Sequence, residues 1–262
     1  MLRVLTYNVH RWVGTDRRTS PARIAEVIAA CRPDVAALQE VRIGRTKAGV
    51  DQLTAVADAL GMTAHFHPTV TFGPERFGLA TLTLRPSRLV RAGRLPGWPG
   101  GPPLEPRGAL WIAVEAGGRE VQVVNTHLGL IGPERLAQAE ALVGPDWLGR
   151  LDGREPIILA GDLNAAPSSR AYKRLAAELR DVQLAAASPR PEGTFHTRLP
   201  VMRIDHVFVG RRIEVRAAGP VRTELTAKAS DHLPLVADLR VTVADHRAET
   251  LGDSGLAALP TA

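Results

Sequence analysis

Along this chain the apolar residues collect into short runs, many of them nearly unbroken: RVLTYNV, DVAALQE, GLATLTL, ALWIAVE, VQVVNTH, PIILAGD, RIDHVFV, RIEVRAA and PLVADLRV. Such runs are what strands covered on both faces look like. Stretches with helical spacing alternate with some of them. Ser20-Pro21 reads as N-cap and first helical residue, ahead of Ile24, Val27, Ile28 and Cys31 on one face, which places Cys31 in the core. Asp51 caps QLTAVADAL with Gly61 as its stop, and PERLAQAEALV and the Ser168-capped SRAYKRLAAEL predict two more helices. Two Pro/Gly-rich stretches, 91–108 and 188–200, predict long loops between strands.

The pattern holds to about residue 245, where one domain is expected to end. From His246 the chain turns Ala/Gly-rich and loses its periodicity, so 246–262 is expected to be a flexible tail. At 262 residues and 45% hydrophobic content the chain can bury a sizeable core. A single cysteine excludes an internal disulfide framework. The first residues, MLRVLTYNVH, lack the sections of a signal peptide, and no apolar run nears the roughly 20 residues that span a bilayer. A cytoplasmic monomer is the expectation. The net charge of +6 would suit nucleic acid or another anionic partner. It is carried almost wholly by arginine, Lys47, Lys173 and Lys228 being the only lysines, and this looks equally like compositional bias.

Polar residues that interrupt the apolar runs share one placement. Asn8, Glu40, His127, and Asp162 with Asn164 each lie at or just past the C-terminal end of a strand-like run, while Asp231 and His232 come just before the last strand. Asp205 lies inside RIDHVFV, where an unpaired carboxylate is costly to bury. Singly, each has a bland reading as a turn residue, a surface partner or a core histidine. One site accounts for them together, and hydrolysis of a phosphate ester would use the set. Glu40 with Asn8 offers the oxygen ligands that Mg²⁺ prefers. Asp162 is suited to hold or deprotonate a water that Asn164 fixes, since residues two apart in an extended segment project to the same side. His127 and His232 supply donors for charge building on phosphoryl oxygens. Asp205 can accept a proton from one ring nitrogen of His232, orienting it and favouring its imidazolium.

In order, TYNVH, DVAALQE, VVNTHLG, ILAGDLNAAP, RIDHVFV and SDHLPLVADL resemble the endonuclease/exonuclease/phosphatase family, over residues 3 to about 240. The resemblance implies an α/β fold of the DNase I-like type, a four-layer αββα sandwich of two packed mixed β-sheets flanked by helices. It implies metal-dependent attack of water on a phosphoester, with Mg²⁺ or Mn²⁺ as cofactor. By matching position it assigns Asn8, Glu40 and Asp231 to the metal site. Asp162 and Asn164 then orient the nucleophile, Asp162 being also a candidate second-metal ligand, His127 and His232 stabilise the transition state, and Asp205 pairs with His232. His10 occupies a position where some members place another metal-site carboxylate, and Phe77 and Thr83-Leu84-Arg85 stand where the family usually has Tyr-Gly and Ser-Arg. Arg42, Arg107 and Arg135 are secondary candidates for binding substrate phosphate.

A small or lipid-headgroup phosphodiester is favoured over DNA. Aromatic residues are only 4% of the chain, and Met202 stands where abasic-site endonucleases carry an aromatic. A DNA nuclease of the same family is the alternative. A catalytically silent phosphate-binding module is the alternative of another class, disfavoured because every central residue is present. No Gly-x-Ser-x-Gly elbow marks a serine hydrolase.

Overall fold

Hydrophobic runs became central strands wherever a layer lies on each side of them. The first, β1 (Leu2–Asn8), is buried at every position but Arg3. The computed structural model describes residues 1–44, 50–151, 153–187 and 190–242; the expected tail at 246–262 lies outside them. From β1 the chain runs through α1 (Pro21–Cys31), β2 (Val35–Ile43), α2 (Gln52–Leu60), β3 (Thr63–Phe72) and β4 (Glu75–Thr83). It continues through β5 (Ser87–Arg94), β6 (Gly108–Ala116), β7 (Arg119–His127), α3 (Gly132–Val143), β8 (Ile157–Asp162) and α4 (Arg170–Ala176). Then come β9 (Arg180–Asp181), α5 (Val182–Ala185), β10 (Asp205–Val209), β11 (Ile213–Pro220), α6 (Glu224–Ala229) and β12 (Leu235–Val241).

Two six-stranded mixed sheets result, in the orders β11-β12-β1-β2-β4-β3 and β5-β6-β7-β8-β10-β9. Their inner faces meet in one core containing Val4, Val35 and Leu79 from the first sheet and Ile112, Val123 and Ile158 from the second. On the outer face of the first sheet, α1 and α2 pack Ile24, Ile28, Leu53 and Val56 against Leu5, Ala36 and Leu82. On the other side, α3 and α4 pack Ala139, Leu142, Ala171 and Leu175 against Trp111, Val124 and Leu159. This is the αββα sandwich. The caps are as the sequence reads at Ser20 and Asp51, which accept from Arg23 and Thr54 backbone N–H. For α4 the cap is Ser169, one residue later than expected, accepting from Tyr172 N–H. No helix among the described residues is long and apolar enough to cross a membrane.

Each sheet has a parallel pair near its centre, β1 with β2 and β7 with β8. Asn8, the last residue of β1, stands in register with Gln39, next to Glu40 of β2, and in the second sheet His127 stands in register with Asp162. β10 runs antiparallel to β8 and begins opposite that strand's end, Asp205 facing Asp162. β12 is likewise antiparallel to β1 and starts at Leu235 opposite Thr6, which delivers residues 231–234 to the end of β1. Topology alone therefore gathers the dispersed polar residues.

A buried polar seam fixes the two sheets to each other just beneath this end. Gln39 donates its side-chain N–H to Asn125 Oδ1 at 2.8 Å. Asn125 Nδ2 donates to the carbonyls of Leu38 (3.0 Å) and Ala80 (2.9 Å) across the interface. Gly161 is required for a related reason: a Cβ there would run into the carbonyl oxygen of Thr126 on the neighbouring strand.

Candidate active site

Asn8, His127, Asp162 and Asp205 reach the gap between the two sheet ends from regularly paired positions, and the backbone breaks its regularity at other candidates. The register of β2 against β4 shifts between Leu38 and Val41, a bulge that carries Glu40 with φ of 55°. Bulges commonly re-aim a side chain next to a site. Past Asn8, the residues His10, Arg11 and Trp12 form a short turn with φ of 42°, 54° and 66°. Asn164 follows β8 with φ of 48°. Non-glycine residues seldom occupy this left-handed region, and they cluster at functional positions when they do.

Asp162 stands at the centre. Its Oδ2 accepts from Asn8 Nδ2 at 3.0 Å and lies 3.5 Å from His127 Nε2 and 3.7 Å from His232 Nε2. Its Oδ1 accepts the Asn164 backbone N–H at 2.9 Å. The Asp162–Asn164 relationship is thus an Asx-type turn, not the extended segment expected from sequence. The Asn164 amide nitrogen donates to Leu128 O at 3.0 Å.

On one side of Asp162, Asn8 Nδ2 also donates to Glu40 Oε1 at 3.2 Å, while Asn8 Oδ1 accepts the His10 backbone N–H at 3.0 Å. Burial, outweighing the Asn8 hydrogen bond, pushes the Glu40 carboxyl above its usual range. Asp231 lies beyond, 3.6 Å from His10 Nδ1. Ser230, absent from the candidates read in sequence, donates its hydroxyl to the Asn8 carbonyl at 2.8 Å.

On the other side, His232 Nδ1 lies 2.8 Å from Asp205 Oδ2, and both residues are buried. Burial alone would lower the ring's pKa, but Asp205 and then Asp162 outweigh it and push it up to about 10. The Asp205 and Asp162 carboxylates thus favour the imidazolium form of His232. Phe195 packs against it with ring centroids 4.8 Å apart. His127 is its opposite: burial, together with the charges of Arg107 and His232, lowers it to about 3 against the pull of Asp162. Arg107 Nη1 lies 3.2 Å from His127 Nδ1. A guanidinium only donates, and the Asn164 side-chain amide nitrogen lies 3.1 Å from Nε2, so each ring nitrogen of His127 faces a donor.

Asp162, Asp205 and His232 offer atoms within 4.8 Å of one another, a spacing compatible with a metal. His232 Nδ1 is engaged by Asp205 at 2.8 Å, and further oxygen donors, Glu40 and Asp231, line the same cavity.

A cavity of about 330 Å³ opens at this point, lined by His10, Arg11, Glu40, His127, Asp162, Asn164, Asp231 and His232 among others. The three secondary arginines separate. Arg107 lines the cavity and pairs with Glu105 at 2.9 Å. Arg42 lies in an adjoining groove, its guanidinium held by Glu75. Arg135 is directed elsewhere, donating to the carbonyls of Leu130 (2.6 Å) and Gly129 (3.4 Å) at the start of α3. Neither Arg11 nor Glu105 was a candidate from sequence; both line the cavity, and an isolated charge beside a turn carries no signal of its destination.

The model of the endonuclease/exonuclease/phosphatase family matches residues 5–232. The chain belongs to that family. Among curated proteins it is similar to the uncharacterized protein YbhP of Escherichia coli K12, 31% identical over 140 residues, covering 52% of this chain and 54% of the relative. The chain thus spans about half the length of the curated relatives it matches. An endonuclease/exonuclease/phosphatase from Beutenbergia cavernae superposes with a TM-score of 0.76 at 27% identity, over 92% of this chain and 72% of that one. A mannosyl-6-phosphatase from Bacteroides thetaiotaomicron superposes with a TM-score of 0.70 at 22% identity, over 92% and 100% of the two chains, a likeness of fold alone. Members of this endonuclease/exonuclease/phosphatase family are phosphoester hydrolases that typically use a divalent metal.

Proposed function

We propose that this protein is a Mg²⁺- or Mn²⁺-dependent phosphodiesterase in which Asp162 and Asn164 orient the attacking water. The observation that carries the reading is the position of Asp162. One carboxylate stands between a carboxylate cluster containing Glu40 and a buried imidazolium held by Asp205. A general base on one side and a fixed positive donor on the other is what in-line displacement at phosphorus requires.

The donor set fits a hard divalent cation. Glu40 and Asp162 are bridged by the neutral Asn8 amide, and among the described residues the cation paired with Glu40 is Arg11, at 4.0 Å. Glu40, Asn8 and Asp231 are the residues that would hold the metal, and it would polarise the phosphoryl oxygens. The protein's own groups do the rest. Asp162 Oδ2 takes the water's proton, and the Asn164 side-chain carbonyl holds that water in line. His232, kept charged by Asp205, donates to the oxygens on which negative charge builds. His127, kept neutral and held between Arg107 and Asn164, stands beside Asp162 to stabilise the transition state.

A small or lipid-headgroup diester suits a cavity of this size and the scarcity of aromatic platforms for bases. The sequence pI of about 10.3 favours a second reading, cleavage of DNA. One panel separates them: bis-p-nitrophenyl phosphate, glycerophosphodiesters, p-nitrophenyl phosphate and plasmid DNA, each with EDTA, Mg²⁺ or Mn²⁺. The proposal expects metal-dependent turnover of the small diesters with a shallow salt dependence. Plasmid nicking at catalytic enzyme concentration that falls about 10³-fold between 50 and 200 mM salt would select the nuclease. Full activity in EDTA would refute both.

A further inference from the structure

Isolated apolar side chains on a surface mean little, but a set gathered around one cavity mouth calls for a partner. Among the described residues, six of the eleven exposed large apolar side chains belong to segments that wall the catalytic cavity or its adjoining groove. They are Phe72, Leu104, Leu130, Leu199, Val201 and Met202, between 37% and 82% exposed. Leu130 lines the catalytic cavity itself. Phe72 lines the adjoining groove, which shares Arg11, Phe77 and Glu105 with the cavity. Leu104 precedes Glu105 in the chain. Leu199, Val201 and Met202 lie on a loop anchored at the site. Phe195 lines the cavity and exchanges backbone hydrogen bonds with Met202, and Thr197 N–H donates to Asp231 O at 2.9 Å. By contrast, Met1 and Leu84 lie at the opposite end of the first sheet, beside the starts of β1 and β2.

Two acidic residues of this rim, Glu75 and Glu105, are already paired with Arg42 and Arg107, and Arg11 lies 4.0 Å from Glu40. Arg76 and Arg198 are exposed beside them. Aliphatic side chains interspersed with surplus arginines match a bilayer with anionic headgroups. The aliphatic groups enter the acyl boundary while guanidinium groups meet phosphates. Nucleic acid is matched less well, because its interfaces are more polar and single strands are gripped by aromatic stacking. Seated this way, the cavity mouth faces the headgroup layer.

The geometry points to an interfacial enzyme: the rim carrying Phe72, Leu130, Leu199 and Val201 docks on an anionic phospholipid surface, and the scissile phosphodiester is presented from that surface. The inference rests on the phosphodiesterase reading above and deepens it.

The test is co-sedimentation of the full chain with sucrose-loaded phosphatidylcholine vesicles, with and without phosphatidylglycerol, compared with Leu199→Ser/Val201→Ser. Both substituted side chains are exposed, so the variant should fold, and bis-p-nitrophenyl phosphate turnover serves as the control. The expected result is binding to phosphatidylglycerol vesicles, weakened about tenfold or more in the double variant, with turnover of the soluble diester unchanged. Absence of binding to the anionic vesicles, or equal binding by wild type and variant, overturns the proposal. So does binding to plasmid DNA alone. Hydrolysis of the soluble diester without vesicle binding defeats the docking surface and leaves the phosphodiesterase reading standing. Variant-sensitive vesicle binding without hydrolysis of any phosphoester does the reverse.

Discussion

Replacing Asp205 by asparagine tests the charge on His232 while keeping the shape of its partner. The carboxylate oxygen lies 2.8 Å from His232 Nδ1 in a fully buried place. At an effective dielectric constant of about 20, a unit charge at that distance is worth about 6 kcal/mol to the imidazolium. Removing it would bring the ring from about 10 to about 6. Asp162, 3.7 Å from Nε2, stays to support the charge and keeps the ring from falling further. On the proposed mechanism the charged ring is the competent form. At pH 8 the Asp205→Asn enzyme would then hold about 1% imidazolium and turn over about 100-fold more slowly. Its rate should climb about tenfold for each pH unit lowered toward 6, whereas wild type shows no such limb below about pH 10. The assay is kcat for bis-p-nitrophenyl phosphate from pH 5.5 to 9.5 at saturating Mg²⁺. A uniform loss with an unmoved pH profile would refute the reasoning, since Asp205 would then only hold the ring in place.

Three further outcomes follow from the same geometry. Glu40→Gln removes the charge that Asn8 and Arg11 only partly offset, and should raise the Mg²⁺ concentration for half-maximal activity by tenfold or more; an unchanged metal titration would exclude Glu40 as a ligand. His127 and His232 should tilt stability in opposite directions. The lowered His127 lets the unfolded chain bind a proton first, so stability falls as pH drops from 6.5 toward about 3, and His127→Gln should remove about 2 kcal/mol of the difference between pH 7 and 5 in urea melts in EDTA. The raised His232 contributes stability that is fully present below pH 6.5 and lost as pH rises through about 10, a loss that His232→Gln should abolish. Asn125→Ala leaves the Leu38 and Ala80 carbonyls without their inter-sheet donor, and should cost about 3 kcal/mol in the same melts; a loss under about 0.5 kcal/mol would show that the seam is not structural.

The central strands were legible because burial on both faces leaves a plain apolar run. Among the edge strands, β11 was read as RIEVRAA, but β3 and β5 were not read. β3 contains His65, His67 and Pro68 and is mostly half-exposed, and β5 carries Arg88, Arg91 and Arg94, so neither has the run that marks a covered strand. Part of β5 therefore fell inside the expected 91–108 loop, which in the structure runs only between Arg94 and Gly108. The site residues could be read as a group because most stand at a strand end or just before a strand, although Glu40 lies at a bulge with β2 continuing to Ile43. Their mutual geometry could not. The Asp162–Asn164 pair looked like neighbours on an extended face, whereas a left-handed Asn164 folds its own N–H back to the carboxylate. Arginines were the least legible. Arg42 finds Glu75 and Arg107 finds His127 across the tertiary structure, and nothing near either in sequence marks the partner.

The illegible site geometry has a physical origin. Asn8, His127, Asp162 and Asp205 reach the gap from regularly paired strand ends, whereas Glu40, inside β2, reaches it only because the strand's alternation is broken there. The bulge at Glu40, the left-handed turn at His10–Trp12 and the Asx turn at Asn164 are breaks in regular structure, and each is a conformation that local propensity disfavours. What over-determines them lies beneath. The Gln39–Asn125 seam locks the residue before Glu40 to the strand that carries His127, and the Thr126 carbonyl presses on Gly161, the residue before Asp162. The well-packed sheets thus hold the irregular ends against their own preferences, and the polar groups meet at distances a flexible loop would not keep.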